Sequence, residues 1–401
     1  MKQLVYTIGL VLITGATFAQ KKNVQNASIY YKDANEALRG QKMESAVNDF
    51  AEAKKYIDDA AKHPDTQNDP KMYLYKGKIY LEMGALVAMD STNEAFAGLD
   101  GQKMAEEGLA SLRKSKEVDT KGRYEDDVNA YASMYRAQAS QIGIAAFEIG
   151  EYETAAAGLL GAAEFGDIAG ILDSNLLYFG GVAAMQIKEW ETSAEAFQKC
   201  VDANFKLGES AGYLATSLNE LGKTEEADKV LQDAVKKEPK NIELLISMIN
   251  FYIDTGRSAD AEKALIAAIE LDPTNTALIY TSGNIYEQLE KMDEAEAAYK
   301  KTLELDPNHT NAKFSLGGVY FNKGADLYNE GNKLPPSDPN AERLVNESKD
   351  MFKKALPFLE EAAEAEPKDV IILESLKQCY GKLGMVDEFK ATKAKIAELR
   401  G

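Results

Sequence analysis

Ser282-Gly283-Asn284-Ile285-Tyr286, followed by Ala295, Tyr299 and Leu305-Asp306-Pro307, is the stretch on which the fold turns. Its landmarks recur at a fixed interval. Pro239, Pro273 and Pro307 stand 34 residues apart; Ala227, Ala261 and Ala295 precede them by twelve, Leu231, Leu265 and Tyr299 by eight, and Ala234, Ala268 and Thr302 by five. A period that never slips marks an array of like supersecondary units, each hiding its apolar face against its neighbours. The residue types fit two antiparallel helices per unit. Gly283 and Ala295 are small where the pair must cross closely, Tyr286 and Tyr299 fill the space on either side, and Pro307 ends the helix predicted from Asp293 to Glu304.

The template extends in both directions with weaker matches. Upstream, Gly181, Trp190, Ser193, Phe197 and Cys200 make one unit, with Phe205 at the proline position, and Gly143, Gly150, Tyr152, Ala155, Leu159 and Ala162 make another. Tyr73, Gly77, Tyr80 and Gly84 read as a first helix whose partner is delayed to about Gln102, and Tyr30, Ala46, Phe50 and Ala53 open the series. Downstream, Leu316, Gly317, Tyr320 and Gly324 begin a unit completed at Ala355, Leu359, Ala362 and Pro367; Leu373, Leu376, Tyr380 and Gly384 begin the last. The predicted units are 27–60, 70–119, 136–169, 174–207, 208–241, 242–275, 276–309, 310–369 and 370–401. Two of them carry insertions, 85–101 and 325–346, read as loops, the second around Leu334-Pro335-Pro336-Ser337-Asp338-Pro339. The final helix, Val386 to Leu399, bears Lys390, Lys393 and Lys395 with Arg400 beyond, as a solvent-facing cap would.

This pattern resembles the tetratricopeptide repeat, most closely from Ser282 to Pro307 and more loosely over nearly all of residues 20–401. The resemblance implies an all-α, right-handed superhelical solenoid of about nine antiparallel helix pairs. It also implies a function: the first helix of each unit lines a concave surface that receives an extended peptide or a partner helix. Helical periodicity places Phe147, Tyr178, Met185, Asn219, Ile246, Asn250, Tyr280, Asn284, Glu287, Phe314 and Phe321 on that face. Asparagines can hydrogen-bond a peptide backbone and aromatics supply contact area, although aromatics at this spacing also serve as core. One subset of the family clamps acidic C-terminal tails with lysines. Here Ile246 and Tyr280 stand where those lysines would be, beside Asn250 and Asn284.

Residues 1–19 read as a secretory signal: Lys2, an apolar run from Leu4 to Ile13, then small residues to Ala19, with cleavage leaving Gln20 first. The run is shorter than the ~20 residues that span a bilayer. No cysteine stands near Ala19 to carry a lipid, so the expected protein is exported to the periplasm or cell envelope, is not a lipoprotein, and inserts in no membrane once cleaved. The chain holds 65 acidic and 46 basic residues, a net charge of −19. Its basic residues are interspersed with acids and form no stripe, which argues against nucleic acid and favours a basic or neutral protein partner over an acidic one.

Chemistry has one candidate. Gly208-Glu209-Ser210-Ala211-Gly212 has the form of a hydrolase nucleophile elbow, but that device needs a strand before the serine and a histidine within reach. The later histidine, His309, stands three units away, tens of ångströms at roughly 10 Å per packed helix layer. His63 and His309 have no metal-ligand spacing. Cys200 and Cys379, five units apart, are too distant for a disulfide and read as buried apolar residues. No cofactor fingerprint occurs. The sequence therefore predicts an exported scaffold that binds proteins, with two alternatives: an envelope assembly factor acting as a homo-oligomer, and a serine hydrolase using Ser210.

Overall fold

The structure, a computed structural model, describes residues 2–90, 93–335 and 337–401, with the backbone alone for 2–20 and 95. Among the described residues the regular structure is α-helix, with short 3-10 turns at Pro64–Thr66 and Glu94–Phe96 and no strand. Successive helices pack as hairpins. The chain divides into two compact units, Met1–Ala203 and Asn204–Gly401. The first unit holds α1 (Lys2–Arg39) with α2 (Met43–Ala61), α3 (Pro70–Met89) with α4 (Gly101–Val118), α5 (Glu125–Glu148) with α6 (Tyr152–Ile168), and α7 (Ser174–Gln186) with α8 (Trp190–Asp202). The second holds α9 (Leu207–Glu220) with α10 (Thr224–Lys237), α11 (Ile242–Asp254) with α12 (Ser258–Leu271), α13 (Thr276–Gln288) with α14 (Met292–Leu305), α15 (Thr310–Lys333) with α16 (Pro339–Ala365), and α17 (Val370–Leu383) with α18 (Val386–Arg400).

Local chemistry sets the turns. In the second unit four prolines stand two residues before an N-cap whose side chain accepts backbone N–H groups: Asn241 after Pro239, Asn275 after Pro273, His309 after Pro307 and Asp369 after Pro367. The proline cannot continue one helix, and the cap satisfies the orphan donors that start the next. The turn inside the four hairpins from α7 to α14 is different. It needs a residue with positive φ, and Lys188, Gly222, Gly256 and Glu290 supply it at steps of 34 residues. Glycine adopts that conformation freely; Lys188 and Glu290 adopt it at a steric cost.

Packing then joins neighbouring hairpins. A carboxylate on the second helix of one hairpin receives a tyrosine hydroxyl from the first helix of the next: Tyr252 Oη donates to Asp228 at 2.8 Å, Tyr320 Oη to Glu296 at 2.8 Å and Tyr380 Oη to Glu360 at 2.8 Å. In the first unit Tyr80 Oη donates to Asp58 at 2.7 Å. A cation closes the tie in the regular repeats, with Arg257 at 2.6 Å from Asp228, Lys291 at 2.7 Å from Glu262 and Lys323 at 2.7 Å from Glu296. Beneath these ties the small residues lie where expected. Ala227, Ala261 and Ala295 are fully buried, and a Cβ on Gly283 would penetrate the Tyr299 ring.

Three expectations are corrected. The stretch 325–346 is not a loop insertion throughout: α15 extends through it to Lys333 and α16 begins at Pro339. Its small residues are what pack the extension, Gly324 against Phe352 and Gly331 against Leu344 and Val345. The stretch 85–101 is likewise mostly ordered packing, since α3 continues to Met89 with Leu86 and Val87 buried, and Phe96 inserts into the core of α1 to α3. The helix beginning near residue 136 starts at Glu125, where three acids in the first turn complement the helix dipole. The leader expected at 1–19 falls on side chains outside the described residues. Among the described residues no helix is long and apolar enough to cross a membrane.

Candidate functional site

In the first unit, α5 and α7 border an apolar cleft of about 370 Å³. Phe147 lies in it half-buried, its ring edge-on to Phe179 at 5.5 Å and to Tyr152 at 5.8 Å. Ile144 and Phe179 form the mouth, 49% and 40% exposed, with Glu148 and Asn175 as its polar groups. Tyr178, expected on the exposed face, is only 5% exposed and turns inward with its ring 5.8 Å from Phe197. Each residue advances 100° around a helix. The outward place therefore falls to Phe179, one position along. Met185 is half-buried near the end of α7 and does not line the cleft.

In the second unit Asn219 is engaged inside its own hairpin, accepting from Thr224 Oγ1 at 2.9 Å. On α11, Ile246 is half-buried and Asn250 exposed. Tyr280, Asn284 and Glu287 come together on α13 around Tyr299. The Tyr280 ring lies 5.7 Å from that of Tyr299 and 4.9 Å from the His309 imidazole. Tyr299 Oη donates to Asn284 Oδ1 at 2.8 Å. Burial raises the Glu287 carboxyl above its ordinary range, against a hydrogen bond with Tyr299 that acts the other way, and Glu287 forms no ion pair among the described residues. Phe314 and Phe321 pack against the core that includes Phe352, the Phe321 ring 5.2 Å from it. They contribute at least as much to the core as to a surface.

Sequence reading missed Ile144, Asn175 and Phe179. Ile144 was within reach of it, because it stands three residues before Phe147 on the same helix face. Phe179 was not, because choosing between two adjacent aromatics requires the rotation of α7 against α8.

The other candidates are structural. Ser210 lies on α9 rather than between helices; it is fully buried and its hydroxyl donates to the Phe205 carbonyl at 2.8 Å. His309 Nδ1 accepts the Ala312 N–H as an N-cap. Cys200 and Cys379 are fully buried, and burial together with Glu360 pushes the Cys379 thiol up to about 12. A thiol so placed is not a nucleophile. Among the described residues no group of three acidic, histidine or cysteine side chains could hold a metal.

Two family models, both described as tetratricopeptide repeat, match residues 218–282 and 280–309. No curated protein matches the chain. Among solved structures the chain is similar to MamA, at 19% identity over 47% of this chain and 94% of that one with a TM-score of 0.36. It is similar to YrrB, described as a tetratricopeptide-repeat protein with an unusual peptide-binding site, at 18% identity over 51% and 93% with a TM-score of 0.38. A third is the C-terminal part of a repeat protein from Cytophaga hutchinsonii, at 14% identity over 65% and 94% with a TM-score of 0.47. Residues 218–309 thus match tetratricopeptide repeats, and repeats of this class are scaffolds for protein–protein contact.

Proposed function

We propose that this protein is an exported scaffold of the bacterial cell envelope that holds a basic or neutral extended peptide on the first-helix faces of its hairpins. The observation that carries the reading is Glu287. Its carboxylate is half-buried between Asn284 and the Tyr280–Tyr299 pair, with no cation beside it among the described residues. A partially desolvated charge without a counterion is an unfavourable ground state that a lysine or arginine from a partner relieves. Asn250 and Asn284 supply groups for a peptide backbone, and the Ile144–Phe147–Phe179 cleft supports a separate apolar anchor in the first unit. The leader-like 1–19, ending in small residues at Ala19, supports export.

The test is a binding titration of the full chain with unstructured peptides of matched length and graded charge. Peptides with lysine or arginine should bind, and Glu287→Lys should weaken them by about tenfold. Preferential capture of acidic peptides would overturn the reading. N-terminal sequencing of the protein from a producing bacterium should find Gln20 first in the envelope fraction, and an intact Met1 in the cytoplasm would refute export.

A further inference from the structure

The first unit carries a second concavity, on another side of α6 from the cleft just described. Leu159 lines the cleft, and Leu160, next along the helix, lines a trough of about 520 Å³ over α6 between α4 and α8. One helical row of α6 runs its length, with Ala157, Leu160 and Gly161 as the apolar floor and Glu153, Glu164 and Asp167 at the two ends. At 1.5 Å per residue that row is about 21 Å long, the length of a helix of some fourteen residues. The trough is thus elongated, and its apolar floor ends beside Leu172, which is 67% exposed. A Cβ built on Gly161 meets nothing within 4 Å, so the space above the centre of the floor is empty.

The rim has one dominant sign. Glu153, Glu164, Asp167, Glu189 and Glu195 face two cations, Arg113 and Lys199. Arg113 reaches Glu164 and Asp167 at 3.9 Å each. Glu153, Glu189 and Glu195 form no ion pair among the described residues. An apolar floor between acidic banks is complementary to a helix with an apolar stripe between basic flanks. We propose that this trough docks an amphipathic helix of a partner protein, with a stripe of alanine or leucine seated over Gly161 and lysines or arginines against Glu153, Glu189 and Glu195.

The test uses the full chain and a designed fluorescent peptide: a helix with an alanine/leucine stripe flanked by lysines, and a scrambled peptide of identical composition. The amphipathic peptide should bind at least about tenfold more tightly than the scrambled one. Gly161→Leu, whose Cβ starts in open space, fills the trough and should weaken binding by about tenfold at unchanged helicity. Glu195→Lys should weaken it too and reduce its salt dependence. Equal binding of the two peptides would mean charge attraction without a seat, and indifference to Gly161→Leu would place binding elsewhere; either overturns the proposal. Loss of self-association on Gly161→Leu, seen by light scattering in the absence of peptide, would make the occupant a second copy and overturn it as well.

Discussion

Glu296 shows how a single residue joins two repeats. Burial alone would raise its carboxyl, but hydrogen bonds from Lys300, Lys323 and Tyr320 outweigh that and hold it down at about 2, below its ordinary 4.5. The folded state therefore binds the proton less tightly than the unfolded chain. Stability from this group is complete above the unfolded value and is lost as pH falls through the folded one, a window of about pH 5 down to 2. Glu296→Gln should cost about 1–2 kcal/mol at pH 7, since charge-assisted hydrogen bonds become neutral ones. The difference between wild type and variant should shrink as pH falls below about 5 and close only as pH reaches about 2, measured as urea midpoints across pH. A constant difference would show that packing, not charge, is what the substitution removes. The sequence contained this tie in plain sight: Asp228, Glu262 and Glu296 recur at 34, as do Tyr252, Tyr286 and Tyr320. A reading that sought small and apolar landmarks took the tyrosines as fillers and passed over their hydroxyls.

Between paired helices, backbone proximity decides what each position tolerates. α5 and α6 cross at Gly143 and Gly158, where a Cβ on Gly158 would lie 2.7 Å from the Gly143 Cα and 2.8 Å from its nitrogen. No rotamer relieves a contact with backbone. Overpacking costs about 1–3 kcal/mol, against about 1 kcal/mol gained in helix propensity, so Gly158→Ala should destabilise by about 2 kcal/mol. Three residues on, Gly161→Ala meets open space and should stabilise by up to about 1 kcal/mol. Opposite signs in thermal unfolding of the two variants would establish the crossing point, and equal signs would refute it. The helical period made Gly143 legible as a small crossing residue. It could not separate Gly158 from Gly161, because both are glycines on one amphipathic helix. Likewise Tyr178 and Phe179 differ by one place, and only the seat of α7 on Phe197 turns one inward and the other out.

For the array as a whole, the 34-residue repeats of the second unit should be interchangeable parts. Removing 242–275 leaves the Pro239 turn with its own Asn241 cap, now joined to Thr276 at the start of α13, and offers Asp228 the Tyr286–Lys291 pair in place of Tyr252–Arg257. The shortened chain should keep its helicity per residue, with a lower melting temperature because one stacking interface is gone. Collapse of the helical signal in circular dichroism would mean that the hairpins are not equivalent. What the sequence determined by itself is the part that depends on local chemistry repeated in register: helix type, hairpin length, proline stops, and the small residues at crossings. These follow from a few neighbours along the chain, and a period makes them self-checking. The tertiary structure alone decided whether 325–346 was loop or helix, which aromatic of a pair faces outward, and where concavities remain between helices. Those outcomes depend on contacts between residues distant in sequence, such as Phe96 with the α1–α3 core or Gly331 with Leu344, and no local pattern encodes the space left when such surfaces meet.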